Sequence, residues 1–167
     1  MKKIVLVAIA VLTFGWANAQ EGKFKVGVHA GLPMGDAKDA FSVNLGADVA
    51  YMFKINDKFS AGATTGYTTY LGKDYTYSFM GYSVTEKGET AGFIPVAGTA
   101  QYSLIDSLFV GADLGYAIKA GGDIDGGFLY QPKFGYQNEK IEVYAAYKGI
   151  SNNGTISSLN LGVNYKF

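Results

Sequence analysis

Apolar and polar or small side chains alternate with a period of two along most of the chain after residue 20. In the segment 23–32, the even-numbered positions are apolar, and the odd-numbered positions are lysine, glycine or histidine. Because successive side chains of a β-strand point to opposite faces, this period predicts strands with one apolar face. The chain contains eight such segments, which cover residues 23–32, 41–53, 59–67, 94–104, 108–119, 128–136, 141–148 and 159–167.

The connections between the predicted strands alternate in length. Residues 54–58, 105–107 and 137–140 form short connections, 33–40 and 150–156 intermediate ones, and 72–90 and 120–127 longer ones. An even number of strands with short turns at one end and longer loops at the other is typical of an antiparallel up-and-down barrel in an outer membrane. We expect the short turns to face the periplasm.

The first 19 residues predict a cleaved signal peptide. Lys2 and Lys3 precede an apolar run, Ile4 to Phe14, and Ala17-Asn18-Ala19 has the small-x-small pattern of a cleavage site. An N-terminal membrane anchor is the alternative, but the apolar run is shorter than a spanning helix requires. We therefore expect residues 20–167 to form one outer-membrane β-barrel domain.

Composition narrows the possible environments of this domain. The whole chain is 49% hydrophobic, yet it contains no stretch of 18 apolar residues after the signal segment. A closed barrel is the other structure that pairs every backbone group within lipid. The absence of cysteine rules out disulfides, and the formal net charge of zero argues against nucleic acid as a partner.

We call the apolar positions of the alternation the apolar parity and the other positions the inward parity. The apolar parity is expected to face lipid, because its aromatic residues flank an aliphatic band. Such girdles form at the two membrane interfaces. A soluble lipocalin-like barrel is the alternative, but the other parity is mostly small and polar, which suits a narrow interior. We expect bulges at Pro95 and Pro132, which lack a ladder donor. The predicted girdles are Tyr51, Phe53, Phe59, Tyr102, Phe134, Tyr136, Tyr165 and Phe167 at the turn side, and Phe41, Tyr67, Tyr116, Phe128 and Tyr147 at the loop side.

The last nine residues, Leu159 to Phe167, alternate and end on an aromatic residue. Together with the eight strands, this ending resembles the small outer-membrane barrels of the OmpX, OmpW and OmpA-domain kind, often called the porin family. The resemblance implies an all-β, eight-stranded antiparallel up-and-down transmembrane barrel at the cell surface of a Gram-negative bacterium. It implies outer-membrane lipid as surroundings, and the barrel-assembly machinery and periplasmic chaperones as partners during biogenesis.

Inward-facing charges predict ion pairs in the lumen. If paired residue numbers of the first two strands sum to 73, Lys25 lies opposite Asp48. If those of the fifth and sixth strands sum to 246, Asp113 lies opposite Lys133, with Glu142 diagonally beyond. Because a narrow lumen must pair its charges, we expect these five residues to form a structural plug. A gated water or ion path is the alternative.

His29 is the only histidine, so any acid–base or metal chemistry must involve it. The register that pairs Lys25 with Asp48 places His29 opposite Asn44, and no serine lies on the same strand. We therefore expect a structural histidine, with no catalytic residue, cofactor or metal site.

The alternation continues beyond the third predicted strand. Residues Tyr75, Tyr77 and Phe79 keep its parity, and a two-residue turn at Met80-Gly81 leads into Tyr82 and Val84. A pairing sum of 161 continues from this turn down to Phe59 and Tyr102. We expect the third and fourth strands to project beyond the membrane as a hairpin that binds an extracellular protein by strand addition. A mobile surface loop is the alternative.

Three functional classes follow from these features. A structural or surface-interaction barrel, adhesion-like and acting through its extracellular loops, is the first. A narrow channel for small solutes is the second. A lipid-modifying enzyme is the third, because only His29 is available for its chemistry.

Overall fold

Ten β-strands and one short helix form the described part of the chain, residues 22–79 and 82–167, in the computed structural model. The predicted signal peptide lies outside these residues. The elements are β1 Gly22–Met34, α1 Ala37–Ala40, β2 Phe41–Lys54, β3 Phe59–Gly72, β4 Tyr75–Phe79, β5 Tyr82–Glu86, β6 Ala91–Ile105, β7 Leu108–Gly121, β8 Gly127–Gln137, β9 Ile141–Ser151 and β10 Thr155–Lys166.

Eight of these strands close into an antiparallel barrel in the order β1-β10-β9-β8-β7-β6-β3-β2, and β2 pairs again with β1. The predicted eight-stranded up-and-down barrel is therefore confirmed. Strands β4 and β5 form a separate two-stranded sheet, which we call the ribbon. Within 22–79 and 82–167, no helix is long and apolar enough to cross a membrane.

The two ends of the barrel differ in their connections. The turn end carries 55–58, 106–107 and 138–140, whereas the loop end carries 35–40, 73–90, 122–126 and 152–154. Asn56 tightens one short turn, because its Oδ1 accepts hydrogen bonds from the backbone N–H of Lys58 and Phe59. Asn138 makes the same contacts with Lys140 and Ile141. These asparagine turns keep the turn end compact.

The apolar parity faces outward, as predicted. Aliphatic side chains of β1 and β10 are largely exposed on the outer surface, with Val28 at 62%, Leu32 at 66% and Leu161 at 69%. Phe41 is an exception to the predicted loop-side girdle, since it is buried inside the barrel. The register of β2 against β3 shifts between Phe41 and Val43, and this irregularity turns the Phe41 ring into the lumen.

The expected bulges at the two prolines are wrong. Pro95 pairs with Ala117 and Pro132 with Ala112 without a register shift. Each proline is unpaired with its other neighbouring strand, which is β3 for Pro95 and β9 for Pro132, and this leaves a gap in the ladder. Proline has no N–H to donate to that strand. The pairing sum is the same before and after each gap, so the chain loses ladder contacts there without inserting a residue.

Candidate functional site

An apolar layer fills the lumen just below the loop end. Phe41, Tyr70 and Phe93 form its centre, with ring centroids 5.6 Å apart for Phe41–Tyr70 and 6.2 Å apart for Tyr70–Phe93. Tyr70 and Phe93 are fully buried, and Leu129 and Ile150 pack into the same cluster from β8 and β9. The layer thus extends across the lumen from β2 to β9. Four of these members, all except Phe41, belong to the inward parity, which is mostly small and polar.

A chain of polar side chains lies beneath this layer. His29 Nδ1 is 2.6 Å from Asp48 Oδ2, and His29 Nε2 is 2.8 Å from Lys148 Nζ. Because a lysine ammonium only donates hydrogen bonds, Nε2 accepts from Lys148 and the Nδ1–H donates to Asp48. A neutral imidazole therefore separates a carboxylate from a buried ammonium. We call this arrangement the Asp48–His29–Lys148 chain.

A threonine hydroxyl completes the surroundings of His29. Thr68 Oγ1 lies 3.2 Å from His29 Nε2, 3.4 Å from Lys148 Nζ and 2.8 Å from Asn44 Nδ2. The ring nitrogens of His29 therefore contact three other side chains and not Asn44, which was expected opposite it. Sequence reasoning missed this cluster because its members come from four strands, β1, β2, β3 and β9.

The predicted register of β1 against β2 is also wrong by two residues. The paired numbers sum to 75, so that His29 lies opposite Gly46 and Lys25 opposite Ala50. The His29 ring lies directly over Gly46, where an added Cβ would be 2.4 Å from His29 Cε1. A glycine at this point makes room for the ring. The sequence does contain a signal for the observed register, because only that register places Gly46, which has no side chain, opposite the His29 ring.

Lys25 pairs across the lumen with Glu142 and not with Asp48. The Lys25 Nζ–Glu142 Oε1 distance is 2.6 Å, and Lys25 also donates to Gln101 Oε1 at 2.8 Å. Asn164 Nδ2 donates to the other Glu142 oxygen at 3.1 Å. Glu142 lies opposite Gln137 of β8, four residues from Lys133, so the predicted diagonal position is wrong. Strand β10 lies between β1 and β9, so a pairing analysis of adjacent strands does not find this pair.

Asp113 and Lys133 do form an ion pair, at 2.7 Å between Nζ and Oδ1. Their register differs from the prediction, since Asp113 lies opposite Gln131 and Lys133 opposite Gly111. The long lysine side chain reaches its partner diagonally across the two strands. Whether these pairs act as a plug stays a prediction.

The ribbon keeps the predicted register but not the predicted continuity. Pairs run from Tyr75–Glu86 to Phe79–Tyr82, all with the sum 161 that also holds between β3 and β6. The chain leaves the ladder at the base of the ribbon, where the Lys73 N–H donates to the carbonyl of Ala40 at the end of α1. The Met80-Gly81 turn and the side chains of Tyr77, Phe79 and Val84 lie outside the described part.

Helix α1 supports the base of the ribbon. The Tyr75 hydroxyl donates to the carbonyl of Asp39 at 2.5 Å, and Lys73 Nζ donates to the carbonyl of Lys38 at 2.5 Å. Further out, Tyr82 is 81% exposed. The ribbon is thus anchored at one end and presents an aromatic side chain to solvent at the other.

No family model matches the chain, and no curated protein is similar to it in sequence. The fold is similar to that of solved transmembrane barrels. Ail, the attachment invasion locus protein of Yersinia pestis, has a TM-score of 0.55 at 11% identity, covering 89% of this chain and 100% of Ail. A de novo designed transmembrane β-barrel has a TM-score of 0.55 at 13% identity, covering 89% of this chain and 98% of the design. The predicted resemblance to small outer-membrane barrels is thereby confirmed at the level of the fold.

Proposed function

We propose that this protein is a non-enzymatic barrel of the bacterial outer membrane, with a plugged lumen, that acts at the cell surface through its ribbon. The exposed aliphatic band supports the membrane placement, since side chains such as Leu32 and Leu161 suit a lipid contact. The loop end then faces the exterior and the turn end faces the periplasm. Residues 1–19 act as the export signal in this proposal.

The free edges of the ribbon carry the proposal. Strands β4 and β5 pair only with each other in the described part of the chain. Each therefore has an outer edge of backbone N–H and C=O groups without a partner strand, and such an edge is a template for strand addition. The hydrogen bonds from Tyr75 and Lys73 to α1 hold the base of the ribbon in place. Holding one partner in place lowers the entropy lost on binding.

The inferred partner is an extracellular protein that supplies a strand. Ail, which shares the fold, is named for attachment and invasion. The similarity to Ail concerns the barrel, so the proposal for this chain depends on the ribbon itself. An adhesion-like role is consistent with a binding surface that projects from a closed barrel.

Removal of the ribbon tests this role. Residues 75–86 are replaced by an Asn-Gly turn, which joins Asp74 to Lys87 at the position where the 161 register closes. Cells that display the native barrel are expected to attach to glass coated with fibronectin, laminin or collagen, and the shortened barrel is expected to lose this attachment. Asn153→Gly in a neighbouring loop is the matched control. Equal attachment by native and shortened barrels at equal display contradicts the proposal.

A narrow channel is the second candidate, favoured by a cavity of about 200 Å³ at the turn end. Planar bilayers separate the two functions. The native barrel is expected to give a closed trace, because Tyr70 and Phe93 occupy the lumen at its loop end. Phe93→Ala is expected to produce brief openings. Stepwise conductance by the native barrel favours the channel and contradicts the plug.

A further inference from the structure

The cavity at the turn end carries an excess of positive charge. Its charged lining residues are Lys23, Lys25, Lys54 and Lys166 against Asp57 and Glu142, which leaves two uncompensated positive charges. The rest of the lining is polar apart from one methionine. This cavity is at the opposite end of the barrel from the ribbon, so it is independent of the proposed surface role.

Both acids of the cavity already have partners. Glu142 Oε1 lies 2.6 Å from Lys25 Nζ and accepts from Gln101 Nε2 at 3.2 Å. Asp57 lies 3.0 Å from Lys54 and its side chain is 97% exposed, so it belongs to the rim. These contacts pair the two carboxylates with Lys25 and Lys54. In the described part of the chain, Lys23 and Lys166 have no carboxylate as close.

Lys166 is the covered lysine of the cavity with the longest contacts to its partners. Its side chain is only 8% exposed, yet its Nζ lies 3.9 Å from Glu142 Oε1 and 3.5 Å from Gln137 Oε1. Charge-assisted hydrogen bonds from an ammonium to a carboxylate are normally about 2.7–2.9 Å long. The Lys166 side chain is therefore largely covered, and within residues 22–79 and 82–167 its ammonium has no anionic partner at that distance.

The strand register brings further positive charge to the same place. Lys25 and Lys166 are directly paired residues of β1 and β10, and both face the lumen. Like charges at directly opposite positions repel each other. Lys23 lies two residues before Lys25 and also lines the cavity, and among the described side chains it forms no ion pair. Lys25 and Lys166 thus share one carboxylate, Glu142, and Lys23 adds a third positive charge beside them.

We propose that this cavity binds a phosphate-type dianion between Lys23 and Lys166, with Lys25 and Gln101 beside it. A dianion neutralises the two excess charges and gives Lys166 a closer anionic partner than Glu142 at 3.9 Å. Lysine ammonium groups bind phosphate oxygens as point charges. The cavity is smaller than the roughly 300–1,000 Å³ pockets of drug-sized ligands, so it suits a small ion. The anion is either a free phosphate compound or the headgroup of a lipid in the adjacent leaflet.

Calorimetric titration with inorganic phosphate tests the site. The barrel is refolded in vesicles of phosphatidylcholine at low ionic strength, where screening is weak. We expect saturable binding of one phosphate per barrel, weakened at least tenfold in the Lys23→Gln/Lys166→Gln variant. Lys58→Gln is the matched control, because Lys58 is exposed at the same end but does not line the cavity, and it should change the affinity less than twofold. Lys166→Arg should retain binding within about threefold.

A second lipid composition identifies the source of the anion. If binding persists when the vesicles contain phosphatidic acid, the site takes a free anion. If binding is lost only in those vesicles, a lipid headgroup occupies the same site. Folding of each variant is checked by its electrophoretic mobility before heating. If the double variant does not fold, Lys166→Gln alone takes its place, with an expected loss of phosphate affinity of about fivefold. No saturable binding in phosphatidylcholine, or an equal loss in Lys58→Gln, overturns the proposal.

Discussion

Replacing Asp48 by asparagine removes the negative end of the Asp48–His29–Lys148 chain and keeps the size of the side chain. Lys148 then retains its ammonium in the lumen beside neutral groups, His29 Nε2 at 2.8 Å and Thr68 Oγ1 at 3.4 Å. A buried charge that loses its opposite charge destabilises the fold. The free energy of unfolding of the barrel should therefore fall.

The size of this loss in the free energy of unfolding follows from the geometry of the Asp48–His29–Lys148 chain. The Asp48–His29 contact is 2.6 Å and the His29–Lys148 contact is 2.8 Å. With the imidazole ring between them, the two charges are about 7–8 Å apart, which gives about 2 kcal/mol at an effective dielectric constant of about 20. The Asp48 side chain is 19% exposed, so water lowers this value and about 2 kcal/mol is an upper figure.

A double-mutant cycle with Lys148→Met isolates the interaction. Asp48→Asn is expected to cost up to about 2 kcal/mol in the native background and less than half of that when Lys148 is already methionine. Urea unfolding of the refolded barrel provides the free energies. Far-ultraviolet circular dichroism is the appropriate signal, because the only tryptophan, Trp16, lies in the predicted signal segment.

An equal cost of Asp48→Asn in both backgrounds refutes the reasoning, since the two charges would then be uncoupled. Asp57→Asn is the control, because the side chain of Asp57 is 97% exposed. Exposed ion pairs contribute little to stability. This control should therefore change the free energy of unfolding only slightly in either background.

Gly46→Ala places a Cβ 2.4 Å from His29 Cε1 and should cost about 1–3 kcal/mol in urea unfolding, whereas Gly154→Ala, which meets no atom within 4 Å, should cost little. A similar loss in both variants would show that the His29 ring does not need the glycine. Glu142→Gln leaves Lys25 without its carboxylate partner and should cost about 3 kcal/mol in the same assay, and an unchanged midpoint would contradict a buried ion pair. His29→Ala should leave the mass spectrum of lipid A unchanged, and an altered lipid A pattern would contradict the non-enzymatic proposal.

The facing of each strand could be predicted from the sequence alone, except at Phe41 in the irregular start of β2. Whether Val28 or His29 points outward depends on the local period of two, which the backbone of a strand imposes regardless of its neighbours. The pairing of β3 with β6 was also predictable. A two-residue connection between Phe79 and Tyr82 determines one sum, 161, for the whole hairpin.

The registers of β1 with β2 and of β7 with β8 could not be predicted in the same way. A shift of two residues keeps every side chain on its face, so the alternation is identical in the right and wrong registers. Packing decides between them. His29 requires the space above Gly46, which the observed register of β1 with β2 provides.

The partners of the lumen charges were decided by the tertiary structure for a related reason. Lys25 contacts Glu142 across an intervening strand, and the Asp48–His29–Lys148 chain joins strands that are far apart in sequence. These contacts exist only once the sheet has closed into a barrel, because closure brings the inward faces of distant strands together. The alternation of the chain therefore determined that a barrel forms and which residues face its lumen, whereas barrel closure determined which of them meet.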